Sequence, residues 1–164
     1  MNGSSKFRAI NTSPKGDVAQ QRKQLYKDAL VKIDAALKAG YFLEAIAICE
    51  SILADRLEAR LAWINGQKED KRKYSTVGRL ADELKGEKSC ECDDAKKLYA
   101  KVKAWAEVRN EAIHQMVKLS ETNPETWENK YRAAETTAKD GLMLFRDIDR
   151  LVRKLNMPLK PVTL

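Results

Sequence analysis

WAEVRNEAIHQM, residues 105–116, is the stretch on which both the fold prediction and the functional prediction depend. Apolar side chains recur around it at steps of three and four residues, which is the spacing of a core-facing helix face. On a helical wheel of about 100° per residue, Arg109 falls at the centre of this face. A guanidinium keeps its charge, so burying it requires an anionic partner or a wet cleft. Asn110 and His114, the only histidine of the chain, lie four residues apart on the neighbouring face.

The same periodicity predicts an all-α protein with four long helices and one short helix. A short helix is predicted between Thr76, as its cap, and Gly86. A very short connection between the first two long helices predicts an antiparallel hairpin, and we expect an up-and-down bundle. The long helices are predicted between Asp17 and Gly40, over 42–64, from about Asp94 to Leu119, and from Asn123-Pro124 onward.

The last of these helices carries aromatic side chains at helical spacing. Trp127, Tyr131 and Phe145 fall on one apolar stripe. We interpret them as core residues and not as a platform for stacked bases.

Length and charge predict one domain with an anionic partner. The 164 residues suit a flexible lead-in (1–16), a single helical domain (17–156) and a short tail (157–164). The formal net charge of +7 makes nucleic acid the first partner to consider.

Cysteine usage and hydropathy predict a cytoplasmic protein without a metal or another cofactor. Three cysteines are too few for a disulfide framework. Cys90 and Cys92 are spaced C-x-C, but a structural zinc site needs about four ligands. Charges interrupt every apolar run, so we expect no membrane span, and the N-terminus has no signal-peptide pattern.

The second helix carries a carboxylate, Glu50, within its apolar arc. A buried carboxylate requires a donor. Arg109 on a facing helix is one candidate, and Arg56 or Arg60 of a partner chain would serve equally well. The sequence also leaves open that such a pair has only a structural role.

The spacing Arg109-Asn110-x-x-x-His114 resembles the Arg-x(4–6)-His motif of the HEPN superfamily, small all-α domains of which many are metal-independent ribonucleases. A second stretch, Glu44-Ala-Ile-x-x-x-Glu50-Ser-Ile-Leu-Ala-Asp55-Arg56-Leu57, resembles the first long core helix of some bacterial HEPN families. It precedes the Arg–His helix, as in those families. Many toxin members continue the motif as His-x-Tyr, whereas here Gln115-Met116 follow His114, so that subfamily is not assigned.

The resemblance implies a metal-independent endoribonuclease. The RNA 2′-hydroxyl would attack the adjacent phosphate and leave a 2′,3′-cyclic phosphate and a free 5′-hydroxyl. His114 would act as general acid or base, Arg109 would stabilise charge on the phosphorane, and Asn110 would orient the histidine or the phosphate. Glu50 would be a supporting acid.

The family further implies a homodimer with the active site at the subunit interface, and a toxin or phage-defence effector with an antitoxin protein as partner. Two other hypotheses stay open. The chain is alternatively a non-catalytic HEPN-like helical module that binds a nucleotide or a protein, or an unrelated helical adaptor.

Overall fold

The computed structural model describes residues 17–66, 75–86, 92–118 and 125–156. Five helices make up most of these residues. The predicted lead-in (1–16) and tail (157–164) lie outside these residues, and the domain limits remain a prediction. No strand occurs in the described ranges, so the all-α prediction of four long helices and one short helix is confirmed. The helices are α1 (Asp17–Ala39), α2 (Phe42–Asn65), α3 (Val77–Lys85), α4 (Asp93–His114) and α5 (Trp127–Leu155).

Local signals in the sequence set several helix boundaries. Gly40 ends α1 with a φ of 79°, and Gly66 caps α2 with a φ of 61°. Both angles lie in the left-handed region that glycine adopts without a Cβ clash. At the start of α3, the Thr76 hydroxyl accepts the Arg79 N–H at 3.4 Å, and Gly86 ends that helix. The predicted boundaries at Gly40, Thr76 and Gly86 are confirmed, and α2 ends at Asn65, one residue beyond the predicted limit.

α4 is shorter than predicted, because it ends at His114 and not near Leu119. A lysine of the neighbouring helix provides the reason. Lys130 Nζ donates to the carbonyl oxygens of Gln115, at 2.6 Å, and of Lys118, at 2.5 Å. These carbonyls find their partner outside the helix, which stabilises the turn that ends it.

α5 begins later than predicted, at Trp127. The Thr126 hydroxyl accepts the Asn129 N–H at 3.2 Å and is therefore the N-cap. The sequence assigned that role to Asn123, which lies outside the described residues together with Pro124.

α2 is the central helix of the bundle. It packs along α5, against α1 and against α3, while α4 packs on α3 and α5 and makes few contacts with α2. Each fully buried large apolar side chain stabilises the fold by about 1.5–3 kcal/mol. None of the described helices combines the length and the apolar character needed to cross a lipid bilayer. The largest fully buried side chains include Ile33, Ile46, Leu53, Leu57, Leu80, Tyr99, Phe145 and Ile148.

Two arginines in the apolar arc of α2 bind groups of the same chain at the contact with α5. Arg56 donates to Asp149, and its guanidinium carbon lies 4.9 Å from the centroid of the Tyr26 ring. Arg60 Nη1 donates to Asn156 Oδ1 at 2.6 Å. Both arginines therefore stabilise the packing of α2 on α5.

The interpretation of Trp127 and Tyr131 as core residues is wrong. Trp127 is 61% exposed, and Tyr131 is also exposed, whereas Phe145 on the same stripe is buried. The first turns of α5 lie at an end of the bundle where the described neighbouring elements leave them largely uncovered. A surface of aromatic side chains results.

Candidate functional site

Arg109 of α4 is buried and paired with Glu50 of α2. Its Nη2 donates to Glu50 Oε1, and the residue is only 8% exposed. The Glu50 side chain is 20% exposed, so the pair is shielded from most of the solvent. Of the candidates left open by the sequence, the structure therefore brings Glu50 to the arginine of its own chain. A charge pair this protected is costly to break, because either partner alone would be a buried uncompensated charge.

Asn110 is fixed by the same guanidinium. Arg109 Nη1 donates to Asn110 Oδ1 at 2.7 Å. An arginine can only donate, so the atom of Asn110 that faces it must be the carbonyl oxygen. The amide NH₂ of this exposed residue is then left for another acceptor. Arg109 Nε is buried and has no hydrogen-bond partner among the described residues, and the residue as a whole is only 8% exposed, so little of the guanidinium is accessible to a substrate.

His114 is the last residue of α4, and its side chain is exposed. Within the described part of the chain it makes no hydrogen bond or ion pair. Five residues separate it from Arg109, which places the two about 140° apart around the helix. Asn110 is closer in direction, about 40° away and about 6 Å along the axis. The structure thus places His114 near the exposed side of Asn110 and away from the guanidinium.

Two acidic side chains share the exposed side of α4 with His114. Glu107 and Glu111 are both exposed and lie within about 60° of His114 around the helix. A phosphate that approaches His114 is therefore repelled by two carboxylates. Its binding would depend on the amide of Asn110 and on cations beyond the helix, of which exposed Lys118 is the nearest in sequence.

Metal ligands and reactive thiols do not define a site in the described ranges. No group of three histidine, cysteine, aspartate or glutamate side chains there could hold a metal ion. Cys49 is buried in the core, and burial raises the pKa of its thiol to about 12, which makes the thiolate inaccessible at neutral pH. Cys92 is an exposed free thiol, and Cys90 lies outside the described residues.

Glu50, Arg109 and Asn110 form one hydrogen-bonded series from α2 to the surface of α4, and His114 lies beside its exposed end. Chemically, this arrangement can present an amide donor to an anion and exchange a proton next to it. The sequence signal for the series was a charged residue in each of two apolar arcs. The chain matches no protein-family model, no curated protein and no solved structure.

Proposed function

We propose that the chain is a metal-independent endoribonuclease of the HEPN type that acts as a homodimer in the cytoplasm. The observation that supports this most directly is the preorganised amide of Asn110 beside the free imidazole of His114. Glu50 fixes Arg109, Arg109 fixes the carbonyl of Asn110, and the amide NH₂ is held ready for a phosphate oxygen. Preorganised donors stabilise developing negative charge without a cost in reorganisation at the moment of reaction.

The proposed role of Arg109 differs from the one that the family resemblance implied. Arg109 is largely buried and binds Glu50 and Asn110, so in this proposal it acts as a positioning residue and Asn110 contacts the phosphate. His114 takes the proton of the 2′-hydroxyl as that oxygen attacks phosphorus, and the bond to the 5′-oxygen breaks. The products are a 2′,3′-cyclic phosphate and a 5′-hydroxyl.

A second proton donor is required for the 5′-oxygen, and the chain has one histidine. We assign this role to the second copy's imidazole, across a twofold axis. An exposed apolar side chain near the site supports a subunit contact there, since Val117 lies three residues after His114 and is 84% exposed. In such a dimer, basic residues of the second copy that face Glu107 and Glu111 would weaken the repulsion between these carboxylates and the RNA phosphate.

The biological role that the motif implies, a toxin or phage-defence effector with an antitoxin partner, rests on resemblance alone. RNA as the partner is further supported by the net charge of +7.

The decisive experiment is an RNA cleavage assay in EDTA with the full chain and with His114→Ala. We expect cleavage products with a cyclic phosphate and a 5′-hydroxyl from the former and none from the latter. Glu111→Gln is a matched control on the same exposed side of α4 and should keep or increase cleavage, because it removes a repelling charge. A folded wild-type protein that cleaves none of several structured and single-stranded RNAs would contradict the proposal.

The second candidate is a non-catalytic helical binding module. The observation that favours it is the burial of Arg109 and its pairing with Glu50 and Asn110, which leaves His114 as the one proposed catalytic residue that is not tied to this series. In that case the wild-type chain would bind RNA or a protein partner without cleaving RNA, and His114→Ala would bind equally well.

A further inference from the structure

A cleft lined by aromatic side chains lies at the end of the bundle that carries His114. Tyr41 lies between α1 and α2, Phe42 begins α2, α5 contributes Trp127 and Tyr131, and Met116 follows α4. We call this group of five residues the aromatic cleft. Its ring systems come from segments far apart in the sequence.

Two rings of the aromatic cleft, those of Tyr41 and Trp127, are largely exposed and available to a ligand, whereas Phe42 is buried beneath them. Tyr41 is 64% exposed and Trp127 is 61% exposed. Trp127 and Tyr131 are four residues apart and therefore share one face of α5. Large aromatic side chains bury more apolar area than other residues when they are covered, so their exposure at one place indicates a binding surface.

Tyr131 is held in a fixed orientation. Its hydroxyl donates to the carbonyl oxygen of Gly40 at 2.5 Å, and its ring centroid lies 4.7 Å from that of Phe42. Gly40 has a positive φ, and a side chain at this position would collide with the Tyr131 hydroxyl. The ring is therefore preorganised, which lowers the entropic cost of stacking a ligand against it.

The aromatic cleft is close to His114. Met116 follows His114 by two residues, so their Cα atoms are at most about 7.6 Å apart. Lys130 binds the carbonyls of Gln115 and Lys118 and so fixes this segment against the first turn of α5. The distance between His114 and the aromatic cleft is therefore fixed for a ligand that contacts both.

We propose that the aromatic cleft binds an unpaired nucleobase of the strand whose phosphate lies at His114, a base with an exocyclic amino group. This proposal rests on the proposed function, because it assigns a subsite for the same substrate. Unpaired bases stack on aromatic side chains in most sequence-specific RNA recognition.

The charge of the lining supports a base as the occupant. Glu44 lines the same cleft, and its carboxylate is the charged group there among the described residues. It would repel a phosphate and would accept a hydrogen bond from the amino group of adenine, cytosine or guanine. An apolar peptide would instead bury this carboxylate without a donor, which is unfavourable.

The test measures binding to the His114→Ala chain, so that cleavage cannot interfere. Oligoadenylate and oligouridylate are titrated with fluorescence anisotropy as the readout, and oligoadenylate with one 2-aminopurine reports stacking by quenching. We expect Trp127→Ala to weaken oligoadenylate binding about tenfold and to abolish the quenching. Met143→Ala, at another exposed side chain of α5, is the matched control and should change neither. Glu44→Gln should reduce the preference for oligoadenylate over oligouridylate.

The proposal is overturned if Trp127→Ala and Met143→Ala bind equally well, or if the His114→Ala chain binds neither oligonucleotide. It is also overturned if Trp127→Ala converts a dimer into a monomer in sedimentation, because the aromatic cleft would then be a subunit contact. Quenching by Trp127 together with no cleavage by the wild-type chain would support the base subsite and contradict the ribonuclease. If the wild-type chain cleaves RNA and Trp127→Ala cleaves it equally well, the ribonuclease is supported and the base subsite is contradicted.

Discussion

Arg109 donates to Glu50 across the bundle and joins α4 to α2, two helices that make few other contacts. The ion pair is therefore one of few direct links between these two helices, while packing on α3 and α5 holds α4 in the bundle. Stability and the candidate site are therefore linked through the same two side chains.

Arg109→Ala should destabilise the protein strongly. The substitution leaves the shielded carboxylate of Glu50 without its cation and removes the donor to Asn110. We expect a loss of about 3–5 kcal/mol in the free energy of unfolding, measured by urea denaturation. Lys139→Ala is the control, because it breaks an exposed pair with Glu135 and should change stability by less than about 1 kcal/mol. Equal stabilities of the two variants would show that the buried pair contributes little.

Asn110→Asp should separate folding from activity. An aspartate oxygen still accepts from Arg109, so the urea midpoint should stay close to that of the wild type. The substitution removes the amide donor and adds a charge that repels phosphate, so cleavage of RNA should be lost. Gln115→Glu adds the same charge next to His114 without removing that donor, and we expect it to retain measurable cleavage. If Asn110→Asp cleaves as well as Gln115→Glu, the amide has no role.

Gly141→Ala should destabilise the protein although alanine favours helices. A methyl group at this position would lie 2.6 Å from Trp105 Cζ2, and the indole is fixed because its N–H donates to the Thr137 carbonyl at 2.8 Å. We expect a loss of about 1–3 kcal/mol from overpacking, with a changed near-ultraviolet circular dichroism signal. In contrast, Gly78→Ala meets only an ordinary contact with Ala106 at 3.7 Å and should stabilise α3 by about 0.5–1 kcal/mol. The same sign for both variants would contradict this packing argument.

Stability at low pH should depend on Asp82. The hydrogen bond from Lys103, at 2.6 Å, holds the pKa of Asp82 below its usual value, and Lys85 acts in the same direction. Because the pKa of Asp82 is lower in the folded protein than in the unfolded chain, ionised Asp82 contributes to the free energy of unfolding. This contribution is present above the unfolded-state pKa and is lost as the pH falls through the folded-state pKa. The urea midpoint should therefore drop more between pH 6 and pH 3 in the wild type than in Asp82→Asn.

Asp94→Asn, at a highly exposed carboxylate near the start of α4, is the control for this titration and should follow the wild type. If Asp82→Asn also follows the wild type, the pair between α3 and α4 does not contribute to acid stability.

Particular residues show how much of this structure the sequence could predict. Gly40, Gly66 and Thr76 act through their own backbone or side chain, so the boundaries they set were predictable from local sequence. The partner of Arg109 was among the alternatives because a charge in one apolar arc requires a charge in another. The end of α4 at His114 was not predictable, since it depends on Lys130 from a distant segment.

The exposure of Trp127 was missed for a similar reason. The apolar stripe of α5 extends over 29 residues, whereas α4, on which it packs, has 22. Periodicity identifies the face that a helix can bury, but only the lengths and positions of its neighbours determine how much of that face is covered.

Lys130 connects the first turn of α5 to the segment that follows His114. A displacement of that turn would strain or break these two hydrogen bonds at the end of α4. If the aromatic cleft binds a base as we propose, Lys130 would link the position of that base to the position of the His114 imidazole.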